Sequence, residues 1–330
     1  MLMHASDEIV MLLRGADGCE VSSRILCERL DVSRAAVWKQ IEALRADGYE
    51  IEACTRRGYR LIRVPDKPCA SEVVPLLTTA RLGRDLRYAA ETGSTNRDVS
   101  ALAQEGADDG VVVVADRQCA GRGRMTRQWF SPPGVNLYFS VLLRPAVELA
   151  RAASLPLVAG LAVAEAIERI APEVRPEIKW PNDILCGGKK LCGVLCEMQA
   201  ETDRVSHVIL GLGVNVNLTH EMLPEELHAR ATSLKIIAGR DFSRSAVLAA
   251  ILNALEPLVE RWCADGLEPL LPALLRRDAL LGREIELEQG GHRIAGRADG
   301  VLPDGALRLQ TPQGVVPVYS GEAHIGSGNG

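Results

Sequence analysis

The spacing of apolar residues changes twice along this chain, and no single repeating architecture can satisfy all three patterns. Up to residue 46 the spacing is helical, from 281 onward it alternates with period two, and between them short strands mix with long helices. At 330 residues the chain also exceeds one ordinary domain, which usually spans roughly 100–200 residues. The sequence therefore predicts an α+β protein in three parts, 1–65, 66–278 and 279–330. The first boundary rests on Val64-Pro65-Asp66-Lys67-Pro68, where two prolines and two charges suit an exposed linker.

In the first part, Ile9, Val10, Leu12 and Leu13 form one helical stripe that ends at Gly15 and Gly18. Val21–Leu30 repeats the pattern. Ser33 is a natural N-cap for a third helix, Arg34–Ala46, which Gly48 closes. Tyr49–Ala53 and Gly58–Ile62 then alternate as strands around the turn Thr55-Arg56-Arg57-Gly58. Three helices and a hairpin are the order of a winged helix-turn-helix, whose second and third helices read DNA. Ser23, Ser33, Arg34, Trp38, Lys39 and Gln40 could face a groove, and Arg56 and Arg57 could reach phosphates from the wing. A module for protein contacts is the alternative, because ten basic and ten acidic residues leave this part without net charge.

In the middle part, Val111–Ala115 reads as a buried strand, and Val135–Leu143, Glu177–Trp180, Lys190–Met198 and Ser206–Leu212 as further strands. Leu155–Ile170 and Arg244–Asp265 are long apolar helices. Strands and helices do not alternate strictly, which favours a mixed sheet over a doubly wound one. In the last part, Arg283–Glu288, His292–Asp299, Ala306–Thr311 and Val315–Val318 are separated by Gly- and Pro-containing turns. They predict a small all-β barrel, with Gly326–Gly330 as a frayed tail.

The net charge of −5 argues against indiscriminate coating of nucleic acid. No stretch reaches the ~18–20 apolar residues of a membrane span, and the first residues lack a basic secretory leader. A cytoplasmic protein with no membrane partner is expected. The nine cysteines contain no Cys-x-x-Cys. Cys192 and Cys196 share a strand face, but no third ligand is near, so no metal held by the protein alone is expected.

Polar motifs crowd the middle part. In Gly121-Arg122-Gly123-Arg124-Met125-Thr126-Arg127-Gln128-Trp129, glycines let backbone amides approach an anion. The arginines there can donate to phosphate or carboxylate, and Trp129 can stack on a nucleobase. The same residues could be a solvated basic loop. Lys179-Trp180-Pro181-Asn182-Asp183 and Lys189-Lys190-Leu191-Cys192-Gly193 form a hairpin that could aim Asp183 and Lys190 at a pocket. It could equally be a charged surface hairpin. Ser94-Thr95-Asn96 can bind a small polar ligand or cap the helix that follows. Gly211-Leu212-Gly213-Val214-Asn215 imitates a dinucleotide fingerprint, but Val216 stands at the third glycine position and no βαβ unit surrounds it. A Rossmann site is therefore excluded, and neither a Walker loop nor a Gly-x-Ser-x-Gly elbow occurs.

In this order the motifs resemble those of the biotin protein ligases. Ser33-Arg34-Ala35-Ala36-Val37 in a leading winged helix resembles the subclass that doubles as biotin operon repressor, and the resemblance covers nearly the whole chain. It implies a central mixed-sheet α/β catalytic domain of the biotin/lipoate ligase type and a C-terminal SH3-like β-barrel. The implied enzyme makes biotinyl-5′-AMP from biotin and ATP with Mg²⁺, then passes biotin to a lysine of a biotin carboxyl carrier protein. The resemblance also implies a homodimer that binds operator DNA when loaded with adenylate.

By the same resemblance Lys190, Arg124 and Asp183 are catalytic. Ser94, Thr95, Asn96, Gln118, Arg122, Gly123 and Gly193 would join Arg124 and Lys190 around biotin. Arg122, Arg124, Arg127, Trp129, Asn182, Lys190 and Asn215 would hold ATP or the adenylate. A ligand-sensing repressor without catalysis, and a ligase for lipoate or another small acid, are the alternatives. The chain departs from the family in three places. Met125 and Thr126 replace more basic, glycine-rich positions, Thr219–Ser233 is short for a covering segment, and a C-terminal arginine has no match around Ala323-His324-Ile325.

Overall fold

A computed structural model describes residues 5–55, 57–201, 204–289 and 292–325. Helices α1 (Ala5–Gly15), α2 (Ser23–Leu30) and α3 (Arg34–Ala46) precede a hairpin of β1 (Glu50–Cys54) and β2 (Gly58–Arg63). Ile9, Val10, Leu13, Leu26, Val37 and Ile41 bury themselves in a core separate from that of the remaining chain. Ser22 and Ser33 start α2 and α3, their hydroxyls accepting from Ile25 N and Ala36 N at 3.2 Å. Val21, expected inside the second helix, lies ahead of that cap. It exchanges both backbone hydrogen bonds with Tyr59 at 2.9 Å and adds a rung to the wing.

After a short helix α4 (Ala70–Val73), the chain builds a seven-stranded sheet. Its strands are β3 (Leu86–Thr92), β4 (Val112–Gln118), β5 (Leu137–Leu143), β6 (Glu177–Lys179), β7 (Asp183–Cys186), β8 (Lys189–Glu201) and β9 (Arg204–Val214). They lie in the order β3-β4-β5-β9-β8-β7-β6. The β3–β4 pair is parallel and is joined through α5 (Thr95–Gln104), while the other neighbouring pairs are antiparallel. One face is covered by α7 (Leu155–Ile170), preceded by α6 (Leu149–Ala152), and by α9 (Arg244–Asp265), preceded by α8 (Leu234–Ala238). Leu149–Ile170 is apolar and long enough to cross a membrane, yet 72% of its most apolar window is buried inside this core.

The period of two sorts the strand side chains. Leu210, Leu212 and Val214 of β9 join the helix-side core, whereas Ile209 packs with Val99 and Ala103 of α5 on the opposite face. Gly211 and Gly213 also fall on that opposite face, where the first turn of α5 gives out: Asn96 lies over Gly211 and Trp129 over Gly213.

A last helix, α10 (Leu271–Leu275), leads to strands β10 (Glu284–Gln289), β11 (His292–Val301), β12 (Leu307–Thr311), β13 (Gly314–Val318) and β14 (His324–Ile325). They form an antiparallel sheet in the order β13-β12-β11-β10-β14. The two-residue β14 is an addition to the four strands expected. Ile285, Leu287, Leu307, Leu309 and Val318 share one core with the seven-stranded sheet's helices. Arg56 and the expected tail Gly326–Gly330 lie outside the described residues.

Candidate active site

A cavity of about 780 Å³ opens over this glycine-bearing part of the sheet. That is within the usual size of a small-molecule site, roughly 300–1,000 Å³. Its walls are the loop after β4, the β6–β7–β8 hairpins and the segment after β9. Ser94, Thr95, Asn96 and Gln118 line one end. Arg122, Gly123, Arg124, Arg127, Trp129, Asn182, Asp183, Lys190, Gly193 and Asn215 line the rest.

The sheet glycines explain how the floor is built. A Cβ on Gly213 would sit 2.5 Å from Trp129 Nε1, and one on Gly211 would overlap Asn96 Oδ1. The Gly-x-Gly pattern therefore lets an indole and an amide lie flat on the strand, which only a residue without Cβ permits. Trp129 Nε1 is buried and has no hydrogen-bond partner among the described residues. An unmet donor of that kind costs about 1–3 kcal/mol.

At the polar end, Ser94 occupies the N-cap position of α5, but its side chain makes no capping bond. Gln118 takes that role, its Oε1 accepting from Thr95 N at 3.0 Å. Parallel pairing of β3 and β4 sets Gln118 opposite Thr92, close to the first free N–H of α5. Thr95 Oγ1 lies 2.7 Å from Ser140 Oγ, which donates to Asn96 Oδ1 at 2.6 Å. Asn96 Nδ2 donates to Glu197 Oε2 at 2.6 Å. Ser140 and Glu197 were not singled out from sequence. The available signal was a serine inside the otherwise apolar Leu137–Leu143 and a carboxylate inside Leu195-Cys196-Glu197.

At the charged end, Lys190 Nζ stands 2.7 Å from Asp183 Oδ1. The contact is an ion pair whose direction misses hydrogen-bond geometry, so this buried oxygen keeps an unused acceptor. The same ammonium lies 5.2 Å from the centroid of the Trp129 ring, within cation–π range. Arg124 Nη1 donates to Asn182 Oδ1 at 3.1 Å, and Asn182 Nδ2 is anchored on Val194 O at 2.7 Å. Arg122 pairs with Glu197. Arg127 pairs with Glu322 of the C-terminal part at 2.8 and 2.5 Å. Glu322, which also lines the cavity, gave no sequence signal. Met125 sits at φ +53°, a conformation glycine adopts freely and other residues adopt at a cost.

Asn215 lines the cavity, but both ends of its amide are used inside the protein. Its Oδ1 accepts from Asn136 Nδ2 at 3.2 Å and its Nδ2 donates to Thr232 O at 2.9 Å. That second bond helps hold the segment Thr219–Ser233. Short as it is, the segment contributes Leu223, Leu227, Arg230 and Ala231 to the wall, tied to Lys190 through backbone bonds of 2.7 and 2.9 Å.

Cys192 and Cys196 point into the helix-side core. Burial pushes the Cys192 thiol up and the Cys196 thiol up to about 12, and protonated thiols are poor metal ligands. Among the described residues no group of three or more His, Cys, Asp or Glu could hold a metal.

On the N-terminal module, Trp38 is 58% exposed on α3, and Arg34 and Lys39 are exposed beside it. Gln40 is half-buried and Ser23 opens α2 partly exposed. The Ser33 hydroxyl is spent on its cap, and Arg57 on the wing pairs with Glu20 at 3.2 Å.

Three family profiles match in the order of the three parts. They are an HTH domain over residues 6–60, the biotin/lipoate A/B protein ligase family over 88–215 and the biotin protein ligase C terminal domain over 280–326. The bifunctional ligase/repressor BirA of Bacillus subtilis is 40% identical over 320 residues, covering 97% of this chain and 98% of that protein. The biotin–[acetyl-CoA-carboxylase] ligase of Mycobacterium tuberculosis is 35% identical over 72% of this chain and 88% of its own length. Among solved structures, the biotin protein ligase from Aquifex aeolicus in complex with biotin and ATP superposes with a TM-score of 0.64 at 34% identity. It covers 74% of this chain and 99% of that one. The cavity motifs, the three profiles and the near full-length likeness to a bifunctional relative agree: the chain belongs to the biotin protein ligase family, in the branch that carries a helix-turn-helix domain ahead of the ligase.

Proposed function

We propose that this protein is an ATP-dependent biotin ligase that also binds DNA as a repressor of biotin genes. The observation that carries the ligase half is the meeting of Lys190, Asp183, Arg124 and Trp129 at one end of a cavity whose other end is a hydrogen-bonded polar floor. The biotin carboxylate attacks the α-phosphorus of ATP, and pyrophosphate leaves. Two anions must be brought together, and the Lys190 ammonium and Arg124 guanidinium offset their repulsion. Trp129 offers a face to the adenine. In the second step the neutral amine of an acceptor lysine attacks the acyl carbon and AMP leaves, with Asp183, whose Oδ1 pairs with Lys190 but keeps hydrogen-bond capacity, orienting the amine and receiving its proton. No protein nucleophile is needed, because positioning and charge do the catalytic work. Mg²⁺ would neutralise phosphate charge and would enter on ATP.

The polar floor favours biotin over lipoate. A ureido ring can use the remaining donor and acceptor capacity of the Thr95–Ser140–Asn96 set, whereas an apolar dithiolane would offer that set nothing to bond. Intact Lys190, Asp183 and Arg124 disfavour a repressor without catalysis. Lys190→Ala is expected to slow pyrophosphate exchange by about 10²–10³-fold with folding unchanged, and a near-normal rate would remove Lys190 from the mechanism. Labelled biotin must reach a carrier domain of a biotin-dependent carboxylase, and lipoate must not.

For the DNA half, α3 presents Arg34, Trp38 and Lys39 to a groove, and pairing of two chains through the central sheet supplies a second half-site. The outer edge of β6 is occupied by backbone bonds to residues 277–279, whereas among the described residues β8 beyond Val194 has no paired neighbour on the β7 side. Sedimentation and operator binding, with and without biotin plus ATP, test that dimer. A ligand-independent monomer without operator affinity would end the repressor half. We place the protein in the cytoplasm, with its carrier protein and the operator.

A further inference from the structure

Glu197 touches both ends of the cavity. Its Oε2 accepts from Asn96 Nδ2 at 2.6 Å, and its two oxygens accept from Arg122 Nη2 at 2.9 and 3.1 Å. An ionised carboxylate can only accept. It therefore turns the Asn96 NH₂ toward itself and leaves Asn96 Oδ1 facing Ser140, whose hydroxyl donates at 2.6 Å. The single Ser140 proton is then spent, so the 2.7 Å contact with Thr95 draws on the Thr95 proton, which the longer 3.3 Å contact with Gln118 Oε1 also shares. One carboxylate thus sets the donor and acceptor sense of Asn96, Ser140 and Thr95 in turn. The same carboxylate fixes Arg122 at the start of the arginine loop.

We infer that Glu197 is a positioning residue for biotin: it orders the polarity of the floor that receives the ring and ties that floor to the arginine loop. The inference rests on the ligase assignment and deepens it. Glu197→Gln keeps the shape, but half of the new amide is a donor. With its oxygen at the Oε2 position it keeps the Asn96 bond but sets an NH₂ against Arg122 Nη2, where Oε1 accepted at 2.9 Å; turned the other way it keeps that Arg122 bond and faces Asn96 with a second donor, so one of the two ties is lost. The KM for biotin should rise about tenfold, the scale of one hydrogen bond to a charged group. The kcat should stay within about threefold, because Glu197 makes no contact with Lys190, Arg124 or Asp183. Calorimetric binding of biotin without ATP should weaken by the same factor as KM, and tryptic cleavage after Arg122 in the ligand-free protein should quicken.

The Glu197→Gln side chain is isosteric and one-third exposed in the parent, so folding is expected to survive and is checked by thermal melting. Biotin affinity equal to the parent, or a loss confined to kcat, overturns the inference. A parent protein that binds biotin but forms no adenylate would instead overturn the ligase assignment. The calorimetric comparison would then still decide whether Glu197 orders the floor.

Discussion

The two small modules are joined to the catalytic body in opposite ways. The N-terminal helices keep their own core, and polar groups make the junction. Tyr49 Oη donates to Glu72 Oε1 at 3.1 Å, Arg14 pairs with the same carboxylate, and linker Asp66 accepts from Arg244 N and Nε at 2.7 and 3.0 Å. Burial, with Cys69 and Glu72 nearby, pushes the Tyr49 phenol up, so it remains a donor throughout the ordinary pH range. The C-terminal sheet instead shares the apolar core of the body. Buried Trp180 spans that seam, its Nε1 donating to Gly305 O at 3.0 Å. Apolar contact is non-directional and scales with area, so such a seam cannot be opened without exposing both sides. A junction of a few directed hydrogen bonds can be broken or redirected for far less. The difference separates a module that can turn relative to the site from one that belongs to it.

Truncation tests the comparison most severely. Removing residues 279–330 would uncover Leu157, Ile178, Trp180 and Leu274, each worth about 1.5–3 kcal/mol when buried. The sum approaches a domain's whole stability of roughly 5–15 kcal/mol, so no cooperative melt and no adenylate formation are expected. Removing residues 1–64 leaves Asp66 on Arg244 and every cavity residue in place. That protein should melt cooperatively and keep pyrophosphate exchange within severalfold. Equal damage from both deletions would erase the distinction.

The next largest effect belongs to Arg244, which is 3% exposed and also donates to Asp116 Oδ1 at 2.7 Å. It fixes the linker to the β4 strand that ends in Gln118. Arg244→Met leaves two carboxylates without their shared partner, at a cost of about 3 kcal/mol in urea unfolding. An unchanged unfolding midpoint would show that the linker is held by something else.

These contrasts also mark what the sequence could disclose. The limits of α3, α7 and α9 were legible because helical spacing repeats over several turns and flanking residues stop it. The loop and hairpin motifs were legible because each packs its chemistry into a few consecutive residues. Ser140 and Glu197 were not, since only the register of β5, β8 and β9 brings them beside Asn96. Glu322 was hidden for the same reason on a longer scale, lying 195 residues from Arg127. Ser94-Thr95-Asn96 offers both a ligand site and a cap because cap preferences are local, while Gln118, which takes the capping bond, is 23 residues from Thr95. The two-residue β14 is too short to show any alternation.

A smaller effect is expected at the N-terminal junction. Tyr49→Phe removes the hydroxyl near Ser71 and Glu72 while keeping the ring in its core, a loss of about 1 kcal/mol. The loss should appear as faster proteolysis of the 64–69 linker and not as slower pyrophosphate exchange. A drop in exchange would mean that the junction is more tightly coupled to the site than its polar character implies.

The smallest effect concerns Glu322, a solvent-facing polar tie on the side that is joined mainly by apolar contact. Arg127 and Glu322 are 63% and 35% exposed, and pairs so open to solvent are usually worth about 0–1 kcal/mol. Glu322→Gln should therefore leave folding intact. The pair nevertheless joins the C-terminal sheet to the arginine loop at the cavity wall, so its loss should be felt in the loop. Tryptic cleavage after Arg127 in the ligand-free protein should speed up by about two- to fivefold, the kinetic equivalent of that energy. Biotin with ATP should slow cleavage in both proteins. If high salt removes the difference between parent and variant, the tie is an ion pair screened by solvent. If cleavage is the same in low salt, the loop does not use Glu322, and the C-terminal sheet serves the site through its apolar seam alone.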